Sequence, residues 1–122
     1  MILKELQRKV YEWSVKNFAE EDSYLPLLGA LEELGELSHA HVKGIHGIKY
    51  SQQKVKDLKK DAIGDTVLCL LNYCEREGID LEEALLDSWK VVSQRDWKKN
   101  PTTGKADPEY NKASTAWHTY DH

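Results

Sequence analysis

The stretch "KKDAIGDTVLCLLNYC", residues 59–74, decides the fold. Its first half carries Asp61 and Asp65 at i,i+4, one face of a helix, and its second half is apolar on every side. A helix of that kind is a buried one, and an aspartate at its threshold is expected to be partly buried. Such a carboxylate needs a cation or several hydrogen bonds. The periodicity extends the helix from about Gln52 to Glu77, where Gly78 ends it.

The other segments read the same way. Leu3, Leu6, Val10 and Trp13 recur at helical spacing in a first helix. "EEDSYLP" breaks it, and Pro26 falls in the first turn of a second helix with Asp22 or Ser23 near its N-cap. That helix shows the stripe Tyr24, Leu27, Leu31, Leu34, and ends near Gly44 or Gly47. In "GIDLEEAL", Asp80 and Glu83 form a capping box that opens a fourth helix carrying Leu81, Leu85, Trp89 and Val92. Trp13 and Trp89, on apolar stripes, are expected in the core. The expected fold is all-α: a four-helix-type bundle over residues 1–99, completed by dimer or tetramer formation, because four short helices barely cover the third. Residues 100–122 read as a polar tail, extended or partly disordered, with Trp117 and Tyr120 as candidate anchors.

With 122 residues and a formal charge of −4, the chain lacks the basic balance of a general nucleic-acid binder. The apolar run "TVLCLLNYC" is too short to span a bilayer, and "MILKELQRKVYEW" is charged throughout, unlike a signal peptide. A cytoplasmic protein is the expectation. Cys69 and Cys74 stand about 140° apart around a helix and read as reduced core thiols.

The second helix contains "LEELGELSHAH", residues 31–41, which crowds Glu32, Glu33 and Glu36 onto adjacent turns. Taken alone it reads as a solvated face. Set across a bundle from Asp61 and Asp65, the same acids make an oxygen-rich cage for a hard divalent cation such as Mg²⁺. Mg²⁺ bound by a few carboxylates commonly grips substrate phosphates.

The pairing of "EELGE" (32–36) with "DAIGD" (61–65) resembles the MazG-type all-α nucleoside triphosphate pyrophosphohydrolases, over about residues 25–95. Similar bundles occur in dimeric dUTP and dCTP hydrolases and in phosphoribosyl-ATP pyrophosphohydrolase. The resemblance implies that Glu33, Glu36 and Asp65 bind Mg²⁺, with Mn²⁺ as a substitute, and that Glu32 helps bind metal or orients the attacking water. The implied reaction cleaves a nucleoside triphosphate between its α- and β-phosphates. The family's second block has a glutamate where this chain has Ala62; Asp61, one residue earlier, is the available substitute.

Phosphate ligands are sought among Lys54, Arg95 and Lys98, with Trp97 as a base-stacking candidate. Two rival readings compete with this one. Glu36 and His39 form one Glu-x-x-His unit of a di-iron bundle, but the second unit is missing, since Leu68 follows Asp65 at that spacing. A non-catalytic helical nucleotide-binding or interaction domain is the alternative in which the acids only solubilise the chain.

Overall fold

The computed structural model describes residues 2–105. It contains four α-helices, α1 (Ile2–Phe18), α2 (Tyr24–His46), α3 (Gln52–Glu77) and α4 (Leu81–Val92), and no strand among the described residues. The chain is all-α, as its periodicity implies. No described helix is long and apolar enough to cross a membrane. The expected tail begins inside the described region, but Trp117 and Tyr120 lie outside it.

Local chemistry fixes the helix ends. Ser51 caps α3, its Oγ accepting from the Lys54 amide at 3.1 Å. Gly47 and Gly78 take left-handed conformations at the ends of α2 and α3, where their amides return to the carbonyls of the last turn. Ser23 stands at the start of α2 in helical conformation and makes no side-chain cap bond.

The chain divides into two compact units, Met1–Leu81 and Glu82–His122. In the first, α3 packs along α2 and, less extensively, along α1. The face that α2 turns inward is made of small residues, with Pro26, Ala30 and Ala40 buried. A Cβ on Gly29 would stand 3.2 Å from Cys69 Sγ, and one on Gly44 would stand 3.0 Å from a Val55 methyl. These two approaches fix α2 and α3 as antiparallel, with the backbones close. Leu71 is the one large side chain sealed completely among the described residues, and Cys74 and Ala62 are buried near it in sequence.

This inward face differs from the one expected. Leu27, Leu31 and Leu34 lie outside, Leu31 being 60% exposed, and Trp13 and Trp89 are 58% and 64% exposed rather than core. The α1 side chains that are buried are polar, Gln7 and Ser14. Asp65 is exposed within the single chain, and Val67 and Leu68 are about two-fifths exposed, so α3 is not buried all round. The physical reason is that small residues allow backbones to approach, which leaves the larger apolar side chains on the outer face.

A hydrogen-bonded seam ties α1 to the end of α3. Gln7 Nε2 donates to Glu75 Oε1 at 3.1 Å and to the Ile79 carbonyl at 2.7 Å, while its Oε1 accepts from the Leu81 amide. Arg76 is sunk to 4% side-chain exposure and donates to Glu20 Oε1, to the Glu21 carbonyl, to Ser14 Oγ and to Asn72 Oδ1.

In the second unit, the segment after α4 folds into turns. Asp96 Oδ1 accepts from the Lys98 and Lys99 amides, and the Asp96 amide donates to the Gly104 carbonyl. Trp97 packs directly on Gly104, whose φ of 63° and lack of a side chain make room for the ring.

Candidate acidic cleft of the second and third helices

Glu32, Gly35, Glu36, His39 and Ala40 form one stripe of α2, at the i, i+3, i+4, i+7, i+8 spacing of a helix face. Leu58, Asp61, Ala62 and Asp65 form the matching stripe of α3. Antiparallel packing sets the two stripes beside each other, and with Tyr50 from the connecting loop they line a cleft of about 570 Å³. That volume lies in the range of small-molecule sites. Four of the acids singled out from sequence line this cleft: Glu32, Glu36, Asp61 and Asp65, all exposed to it.

Glu33 sits one position round the helix, on the inner side. It is half-buried, and its Oε2 is closed off from solvent with no hydrogen-bond partner. Burial pushes its carboxyl above the ordinary range, and the neighbouring charges of Glu36, Asp65 and Glu32 push in the same direction. The Cys69 thiol is raised for the same reasons, first by burial, then by Glu33, Asp65 and Glu32. Both cysteines are free.

Among the described residues, no lysine or arginine lines the cleft. Lys54, a candidate phosphate ligand by its charge, is exposed in the first turn of α3 and stands outside the lining. Arg95, Trp97 and Lys98 belong to the second unit. Among the described residues, no group of three histidine, cysteine, aspartate or glutamate side chains is arranged to hold a metal ion. The acids share a wall without closing round a point.

Ala62 is 3% exposed and lines the cleft floor, so the position where the resembling family has glutamate is packed between α2 and α3. Asp61 faces the cleft beside it. Besides the apolar Ala40 and Leu58, two lining residues able to contact a ligand, His39 and Tyr50, are not assigned to this site from the sequence. His39 shares the 32–36–39 stripe, a spacing that could have placed it here. Tyr50 lies in a loop, where helical periodicity carries no information.

The Glu33 environment gives a pH dependence. A raised folded-state pKa means the folded chain binds more protons than the unfolded one between the ordinary glutamate range and the raised value. Its stabilising contribution is therefore complete below that range and is lost as pH rises through the folded pKa. Glu33→Gln removes the charge but keeps the shape. In metal-free buffer the variant should melt above wild type at neutral pH, with the gap closing on acidification. A variant that melts lower at neutral pH would show that Glu33 is already neutralised by the fold.

No family model, curated protein or solved structure matches the chain.

Proposed function

We propose that this acidic cleft binds Mg²⁺ and hydrolyses nucleoside triphosphates between the α- and β-phosphates, releasing a monophosphate and pyrophosphate. The observation that carries the reading is Glu33 Oε2, shut away from water without a partner and pressed by Glu36, Asp65 and Glu32. An unpartnered buried carboxylate is expensive, and a cation among these acids would offset that cost. The donors are all hard oxygens, which fits Mg²⁺ or Mn²⁺ rather than a thiophilic metal.

Glu33, Glu36 and Asp65 would hold the ion, with Asp61 supplying the acid that position 62 lacks. The bound ion would supply charge neutralisation at the phosphates and lower the pKa of a coordinated water. Glu32, on the cleft wall, orients the attacking water and accepts its proton. The lack of lysine and arginine among the described lining residues supports this division of labour, because phosphates meet four carboxylates here unless a cation comes with them.

Linkage supplies the test. A ligand that binds only the folded chain raises its melting temperature. Mg²⁺ in the millimolar range should therefore raise it, and Glu36→Gln should abolish the rise while leaving the metal-free protein at least as stable. An unchanged rise in the variant would remove Glu36 from the ligand set, and no rise in wild type would remove the metal.

Self-association belongs to the same proposal. Leu27, Leu31 and Leu34 of α2 and Val67 and Leu68 of α3 are exposed in the single chain, a loss that a second copy would recover. Sedimentation at micromolar concentration should give a dimer or larger; a clean monomer would contradict it.

A further inference from the structure

The loop between α2 and α3 holds an unusual turn. The Tyr50 amide donates to the Ile48 carbonyl at 2.8 Å, and the residue between them, Lys49, has φ of 72°. A three-residue turn closed at positive φ by a residue with a side chain is rare and strained. It is maintained one residue after Ile48, in a loop that Gly47 has already turned through the left-handed region without cost. The outcome of the strain is the placement of Tyr50, half-buried against the cleft, with Lys49 Nζ 5.2 Å from its ring centroid.

The cleft is graded along its length. Glu32 and Asp65 lie toward one end; His39, Ala40, Leu58 and Tyr50 lie toward the loop, with Glu36 and Asp61 between. From Glu32 to Ala40 is about 12 Å at the rise of an α-helix. Carboxylates at one end, and at the other an aromatic ring with Ala40, Leu58 and the His39 imidazole, match a molecule that is anionic at one end and flat at the other.

Resting on the nucleotide reading above, we propose that Tyr50 is the platform on which the nucleobase stacks, seated by the strained turn at Lys49. It is a specificity and positioning residue; the phosphates lie at the acidic end. The Lys49 ammonium beside the ring adds a cation–π contact that steadies the platform.

The test measures binding without turnover. Equilibrium dialysis with Mg²⁺ compares a nucleoside monophosphate with inorganic pyrophosphate, on wild type, Tyr50→Leu and Tyr50→Phe. Tyr50→Leu should weaken the monophosphate about tenfold or more, the usual scale for loss of one base-stacking ring, and leave pyrophosphate within twofold. Tyr50→Phe keeps the ring and should bind both as wild type does. Equal weakening of both ligands by Tyr50→Leu, or a monophosphate affinity that does not change, would overturn the proposal. If wild type shows Mg²⁺ stabilisation and binds pyrophosphate but no monophosphate, the platform is wrong and the metal reading stands. Failure of wild type to bind either ligand, with no Mg²⁺ stabilisation, overturns the nucleotide reading and the platform together.

Discussion

Asp65→Asn is expected to lower nucleotide turnover by several powers of ten while leaving the fold intact. Asp65 is exposed on the cleft wall, so the substitution costs little packing, and asparagine keeps its shape. The change removes one negative charge from a group that acts on Glu33 and Cys69. Charge stabilisation by a bound metal is worth several kcal/mol, and each 1.4 kcal/mol is about tenfold in rate. The same substitution should leave metal-free melting unchanged or slightly raised, because it relieves repulsion. Steady-state kinetics with saturating Mg²⁺ check it. Turnover within a factor of ten of wild type would take Asp65 out of the site.

The largest expected loss of stability lies elsewhere, at Arg76. Its guanidinium lies over the Tyr11 ring, 5.3 Å from the centroid, and donates to the Glu21 carbonyl at 2.6 Å and to Asn72 Oδ1 at 2.8 Å. Contacts to Ser14 Oγ and Glu20 Oε1 complete it. The residue therefore joins α1, the loop before α2 and the last turns of α3. Arg76→Ala would take the donor from a part-buried carbonyl and two part-buried side-chain oxygens. On the order of 3 kcal/mol is the expected cost, or a fall of roughly 10 °C in melting temperature. Arg76→Lys should recover only part, since an ammonium cannot reproduce the planar fork. Thermal unfolding that places Arg76→Ala within about 1 kcal/mol of wild type would show the seam to be redundant.

Helix existence and helix ends are legible in the sequence because they are local. Ser51, Gly47 and Gly78 act through neighbouring backbone, and the sequence positions of α3 follow from them. Which faces pack is less legible. Reading the Leu27–Leu31–Leu34 stripe as inward assumes that the largest apolar residues meet within one chain. Here Ala30, Ala40, Gly29 and Gly44 make the contact, and the leucines face out. The same assumption misplaces Trp13 and Trp89.

The site shows the same division. Glu32, Glu36, Asp61 and Asp65 follow from i,i+4 spacing, and antiparallel packing does bring them to one cleft. Asp65 reads in sequence as the buried acid, yet it is Glu33 that is closed in, because the inward face of α2 is the small-residue one. Tyr50 lies beyond the reach of periodicity, since its position depends on the turn at Lys49 rather than on any repeat. Arg76 reads in sequence as one more charge in "EREG", residues 75–78, and only the fold makes it a buried hub.

The bond that breaks distinguishes a pyrophosphohydrolase from other nucleotide hydrolases. Wild-type protein with Mg²⁺, incubated separately with each common ribo- and deoxyribonucleoside triphosphate, should convert at least one to its monophosphate with one equivalent of pyrophosphate. Release of diphosphate and orthophosphate would mean attack at a different phosphorus, and release of nothing from any of them with Mg²⁺ or Mn²⁺ would contradict the enzyme outright.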